Sequence, residues 1–118
     1  MINDEEIVKK LLFFLSKSFH AFKNYSSNGE IYVFAKIIFD SNQKAKEVIN
    51  EYGGLVDASL QDAFIQISIH IEAWSLNWLE HKKELGEISI FDRFYFDTKF
   101  PFPKQSEKEL KQFLKLKS

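Results

Sequence analysis

The chain has 118 residues, of which 45% are hydrophobic and 16% aromatic, enough to build one domain with its own core. Cysteine is absent, so disulfide scaffolds, zinc ribbons and thiol nucleophiles are excluded. Sixteen basic and 17 acidic residues give a net charge of −1, whereas a general nucleic-acid binder is normally basic. We therefore expect a single domain over residues 1–118 with no nucleic acid as a partner.

The first residues do not resemble a secretory signal, which begins basic and continues into an uninterrupted apolar stretch. Here the start is acidic, and Lys9 and Lys10 interrupt the apolar pattern. The longest apolar run near the start, from Leu11 to Leu15, is too short to span a bilayer. The sequence therefore predicts a cytoplasmic protein without a membrane partner.

The sequence favours a helix in three regions of the first half of the chain. Residues 4–24 repeat apolar positions with a period near 3.6, Asn3 and Glu6 are placed as in a capping box, and Gly29 ends the helix. Seven of the ten residues 30–39 are β-branched or aromatic, which fits a buried strand or a buried helix, and we favour the helix. A further helical piece, capped by Asp40 or Ser41, follows up to Gly53–Gly54.

The stretch 57–85 predicts one long helix that ends at Gly86. Apolar residues step by four and three along it, which is a heptad-type pattern. A strand remains the alternative over residues 64–71, where isoleucines alternate with polar residues. The heptad-type positions are Leu60, Phe64, Ile67, Ile71, Trp74 and Trp78.

Residues 87–103 are rich in aromatics, and Pro101 and Pro103 oppose a helix there, so we expect an extended connection packed on the helices. A final helix is predicted from Ser106, with Glu109 in the capping-box position. The predicted fold is mainly α: a bundle of four to five helices with one long central helix and an aromatic-rich extended connection. The alternative is an α+β fold with a small sheet.

The sequence offers little for catalysis or metal binding. The three histidines form neither a His-Glu-x-x-His motif nor paired Glu-x-x-His motifs, and His70 and His81 are three helical turns apart. No serine lies in a nucleophile-elbow context, and Gly53–Gly54 lacks the residues of a phosphate-binding loop. We therefore predict a protein that is not an enzyme and that uses no cofactor and no metal.

Charge is unevenly distributed along the chain. Residues 57–97 hold eight acidic and three basic residues, whereas residues 99–118 hold six lysines and two glutamates. Within the acidic stretch, residues 91–97 combine aromatics, acids and the one arginine, and tyrosine and arginine are enriched in interface hot spots. We predict a partner-binding site made of Glu80, Glu84, Glu87, Asp92, Arg93, Tyr95 and Asp97.

In size, lack of cysteine, richness in Phe, Ile, Lys and Asn, and the acidic stretch 57–97, the chain resembles small immunity proteins of bacterial polymorphic-toxin and contact-dependent growth inhibition systems. The resemblance implies a non-enzymatic module that binds a cognate toxin, most concretely a basic nuclease domain, and covers its active site. Free of its toxin, such a protein is expected to be a monomer or a weak dimer. The alternatives are a helical homo-oligomer that uses the tryptophan-containing face, and an uncharacterised helical enzyme.

Overall fold

The computed structural model describes residues 2–96 and 100–117, which form four α-helices. These are α1 (Asp4–Ser27), α2 (Tyr32–Tyr52), α3 (Ala58–Leu85) and α4 (Lys104–Lys117). Helix α1 packs against α2 and α4, and α3 packs against the same two helices, so that the four form a bundle. The only β pairing among the described residues is an isolated bridge between Ile31 and Arg93. The predicted mainly α bundle is confirmed, and the α+β alternative is wrong.

Side-chain caps fix the starts of two helices where the sequence predicts them. Asn3 Oδ1 accepts a hydrogen bond from the Glu6 amide at 2.9 Å and begins α1. Asp57 begins α3, because its carboxylate accepts from the Ser59 amide at 3.0 Å and from the Ser59 hydroxyl at 2.6 Å. These two hydrogen bonds lower the pKa of Asp57.

Two predicted helix starts are wrong. The expected cap at Asp40 or Ser41 does not exist, because α2 continues through both residues: Ser41 is buried and Asp40 pairs with Lys36 one turn earlier at 2.8 Å. Helix α4 begins at Lys104 rather than at Ser106, directly after Pro103. The fixed φ of proline is compatible with the start of a helix, so α4 can begin directly after Pro103. Proline opposes a helix only on its N-terminal side.

The core has two parts, one at each end of the bundle. At the first end, side chains of all four helices meet around Leu11, Phe64 and Leu110. Helix α4 has 14 residues and α3 has 28, so α4 extends along only about half of the bundle at 1.5 Å per residue. At the second end, where α4 is missing, Phe94 from the segment after α3 completes the core with Trp74 and Trp78. This segment, residues 86–96, is called the connecting segment below.

Helix α3 carries apolar side chains on two opposite faces. Ile67 and Ile71 point into the core and are fully buried, whereas Ile65 and Ile69 are more than half exposed on the outer side. The two pairs alternate along the sequence because a step of two residues turns a helix by about 200°. This arrangement explains why residues 64–71 have a strand-like pattern although they are helical.

The side chain of His70 predicts a pH dependence of stability. Its ring is half-buried with its edge against Phe102, and this burial lowers the pKa of His70 despite a hydrogen bond with the Pro101 backbone. Below about pH 6.5 the unfolded chain therefore binds more protons than the folded one, and the free energy of unfolding falls as the pH falls.

We expect the free energy of unfolding, measured by urea denaturation, to fall between about pH 7 and pH 5, and to fall less in His70→Gln. The matched control is His20→Gln, since His20 is exposed on α1. A fall in His70→Gln as large as in the wild type would contradict this account.

Candidate partner-binding site

The connecting segment is held on the turn between α1 and α2 by backbone hydrogen bonds. The amides of Tyr32 and Val33, the first two of α2, donate to the carbonyls of Asp92 and Ile90, each at 2.8 Å. The amide of Phe94 donates to the Glu30 carbonyl at 2.8 Å. The first amides of a helix have no partner within the helix, and the residue before α2 is Ile31, whose side chain has no acceptor. The connecting segment therefore caps α2.

The turn that receives the connecting segment has a fixed shape. Gly29 has φ +79° and the Glu30 amide donates to the Tyr25 carbonyl at 2.9 Å, the hydrogen bond of a Schellman motif at the end of α1. Glu30 also has a positive φ, +59°, which is uncommon for a residue with a side chain. Its carboxylate accepts from the guanidinium of Arg93 at 3.0 Å.

Tyr25 ties the connecting segment to α1 through its side chain. Its hydroxyl donates to the Phe94 carbonyl at 2.6 Å and accepts from the Phe96 amide at 3.0 Å. The ring is buried, and this burial raises the pKa of Tyr25, partly offset by the bond from Phe96. Both hydrogen bonds join residues about 70 positions apart in the chain, so one side chain fixes the whole end of the connecting segment.

The side chain of Phe94 anchors the segment in the core. It is fully buried, and its ring centroid lies 5.0 Å from that of Trp78, 5.3 Å from that of Tyr32 and 4.9 Å from that of His81. His81, on the last turns of α3, thus packs edge to face with an aromatic ring of the connecting segment. Trp74 and Trp78, the last two residues of the heptad-type pattern, are buried in this core.

Around this anchor, neighbouring side chains point outwards. Phe91 is 72% exposed and Tyr95 is 51% exposed, and Ile90 is about half exposed. The Arg93 guanidinium lies over the Tyr95 ring at 5.3 Å while it pairs with Glu30. A short, fixed segment therefore displays two aromatic rings and a guanidinium on the protein surface.

The predicted acidic residues fall into two groups. Glu80 and Glu84 lie one turn apart near the end of α3, and Glu87 follows Gly86; all three are exposed, and no ion pair joins them to any residue of 2–96 or 100–117. Asp92 is exposed as well, but its carboxylate accepts from the Ser89 amide at 2.8 Å and so shapes the turn. Asp97 lies outside the described residues.

Sequence reasoning missed three residues of this region. Tyr25 and Glu30 hold the connecting segment, yet both lie more than 60 positions away from the residues that they contact, and no local pattern indicates such a contact. Phe91 lies in the aromatic segment 91–97, but the predicted partner-binding site does not include it. Phe91 lies on the surface and Phe94 in the core, but the residues beside Phe91 in the sequence, Ile90 and Asp92, do not indicate which of the two phenylalanines is exposed.

Among the described residues, the chain forms neither a metal site nor a membrane-spanning helix, and its main depression lies away from the predicted site. Within the described ranges, no group of three or more His, Asp or Glu side chains is placed to hold a metal ion. A depression of about 630 Å³ lies at the other end of the bundle, lined mainly by the beginnings of α1 and α3 and the end of α4, and contains none of the predicted site residues. None of the four helices, as far as the chain is described, is long and apolar enough to cross a membrane.

Removal of the Tyr25 hydroxyl tests whether this side chain fixes the connecting segment. We expect Tyr25→Phe to lower the free energy of unfolding by about 1–3 kcal/mol, because it leaves a buried carbonyl and an amide without their partner. The matched control is Tyr95→Phe, which removes an exposed hydroxyl and should change stability by less than about 0.5 kcal/mol. Chemical denaturation measures both, and equal effects would contradict the role assigned to Tyr25.

Comparison with known proteins assigns this arrangement to no family. A scan against protein-family models found no match, and searches of curated proteins and of solved structures found none either.

Proposed function

We propose that this chain is a non-enzymatic immunity protein that binds a cognate bacterial toxin, a basic nuclease domain, and covers its active site. The observation that carries the proposal is the connecting segment. Its backbone hydrogen bonds and the buried Phe94 hold it on the bundle, while Phe91, Arg93 and Tyr95 are exposed to solvent. Glu80 and Glu84 near the end of α3, which form no ion pair with any described residue, precede this segment directly in the chain.

The anchoring of the connecting segment favours tight binding. Association costs free energy when loops and side chains must be ordered, and a segment that is already fixed avoids part of that cost. Tyrosine and arginine are enriched among residues that dominate interface energies, and phenylalanine adds a large apolar surface. Phe91, Arg93 and Tyr95 thus have the chemistry of an interface centre.

The acidic residues account for the choice of a nuclease as the partner. A nuclease presents a basic cleft to the phosphates of its substrate, and an inhibitor needs negative charge at the same place. Glu80, Glu84 and Glu87 are exposed and make no ion pair within the described parts of the chain, so their charge is available to such a cleft. Complementary charge also speeds association at low ionic strength.

The first step of the test is to capture partners with the tagged protein from its source cells and to identify them by mass spectrometry. The proposal expects a stoichiometric basic partner that is toxic when expressed alone and harmless when this chain is expressed with it. A captured protein that is not toxic, or whose toxicity this chain does not relieve, would contradict the proposal. Capture of no partner across growth conditions would contradict it as well.

Two variants then test the site. We expect Phe91→Ala to weaken binding at least about tenfold, mainly through faster dissociation, and Glu84→Lys to slow association in a salt-dependent way. Glu84 is preferred to Asp92 for charge reversal, because the Asp92 carboxylate also shapes its turn. Surface plasmon resonance with the captured toxin measures both rates.

The matched control is Glu51→Lys, which reverses an exposed acid near the end of α2, at the other end of the bundle. Its rates should equal those of the wild type apart from a small long-range electrostatic effect. If Glu51→Lys and Glu84→Lys slow association equally, the effect is that of net charge and the assigned site is wrong.

A further inference from the structure

We propose that the outer face of α3 binds a second copy of this chain, with the two α3 helices antiparallel about a two-fold axis near Glu72. The inference does not rest on the proposed toxin binding, because its apolar contacts lie on the back of α3 rather than on the connecting segment; Glu80 lies at the margin of both surfaces. It also differs from an oligomer built on the tryptophan-containing face, since both tryptophans are buried.

The outer face carries an apolar stripe with heptad spacing. Four aliphatic side chains on it are between 47% and 69% exposed, which is unusual for large apolar residues placed in one row on a helix. Steps of three and four residues connect them with Glu72 in the middle and with Asp62 and Lys83 at the two ends. We call this set the outer stripe; its apolar members are Ile65, Ile69, Leu76 and Leu79.

The charges of the outer stripe indicate a second copy as the occupant. In an antiparallel pair centred near Glu72, residues whose numbers add up to about 145 lie level with each other. Asp62 of each copy then lies level with Lys83 of the other, so two opposite-charge contacts flank the apolar centre. Both residues are exposed, and neither makes an ion pair with another described residue.

The same relation matches the apolar residues. Ile65 lies level with Leu79 of the second copy, and Ile69 lies level with Leu76. A parallel pair would instead align each charged residue with its own copy, so that Asp62, Glu72 and Lys83 would all meet like charge, which is destabilising. The sequence of the outer stripe therefore specifies the antiparallel direction.

Three features make this association weak and dependent on concentration. Near the axis the two Glu72 carboxylates approach each other, although each can pair with Lys46 of its own chain, whose Nζ lies 3.7 Å away. Glu80 lies level with Ile65 of the second copy, where it adds a charge at the rim. A stripe on a single helix is also smaller than the roughly 800 Å² per partner that stable complexes bury.

Sedimentation equilibrium from low to high micromolar concentration tests the proposal. We expect the apparent mass of the wild type to rise from monomer towards dimer, and Leu76→Glu to weaken the association at least tenfold. The control is Leu116→Glu, since Leu116 on α4 is 86% exposed but lies outside the outer stripe. A wild type that stays monomeric throughout, or a Leu76→Glu variant that dimerises normally, would overturn the proposal.

A charge exchange tests the antiparallel direction. Asp62→Lys places lysine level with lysine, and Lys83→Glu places acid level with acid, so each variant alone should dimerise less than the wild type. Mixed together, the two variants form a heterodimer in which both flanking pairs are again opposite in charge. Sedimentation of the mixture should therefore show more dimer than either variant alone, and a mixture without this gain would overturn the arrangement.

Glu72 tests the position of the axis. Glu72→Leu removes two acids from the centre of the pair and should tighten the association several-fold. Unchanged or weaker association would place the axis elsewhere and overturn the proposed pairing. Circular dichroism of every variant confirms that the helices are intact, which is expected because all substituted side chains of this face are exposed.

Discussion

The end of the bundle that carries the candidate site depends on a small set of hydrogen bonds between the start of α2 and the connecting segment. Two amides of α2 would lack partners without the carbonyls of Ile90 and Asp92, because Ile31 cannot cap the helix with its side chain. The same contacts place Phe94 in the end of the bundle that α4 is too short to cover. These backbone hydrogen bonds therefore complete both a helix and a core, and they determine which side chains face outwards.

This constraint accounts for the exposure of large apolar residues beside a well-packed core. Once the Phe94 ring and the Tyr25 hydroxyl fix the segment, Phe91 and Tyr95 have no interior position left. A protein that used the segment only to connect α3 with α4 would not need such residues at its surface. The proposed toxin contact gives them a role, as the proposed self-association does for the outer stripe of α3.

Much of the fold could be predicted from local pattern, and the reasons are clear for individual elements. The caps at Asn3 and Asp57 and the stop at Gly86 act within one helical turn, so the ends of α3 and the start of α1 are visible in the sequence. The false break at Asp40 and Ser41 arose because residues that cap helices also fit inside them, Asp40 through its ion pair with Lys36.

The site was less predictable, because its geometry rests on contacts between distant parts of the chain. The composition of residues 91–97 indicated a surface for recognition, and Asp92, Arg93 and Tyr95 are indeed exposed. The partners that position them, Tyr25 and Glu30, are ordinary residues at the end of a helix and in a turn. The outer stripe was hidden for another reason: its isoleucines, mixed with those of the core face, produced a pattern that resembles a strand.

Hydrogen exchange of single amides, followed by nuclear magnetic resonance, tests the central claim that the connecting segment is fixed in the free protein. The amides of Tyr32 and Val33 donate to carbonyls of this segment, and the amide of Phe94, within the segment, donates to the Glu30 carbonyl. The account predicts that these three amides are protected almost as well as amides inside α2. Exchange of these three amides as fast as in an unstructured loop, with α2 itself protected, would contradict it: the segment would then be ordered only by its partner.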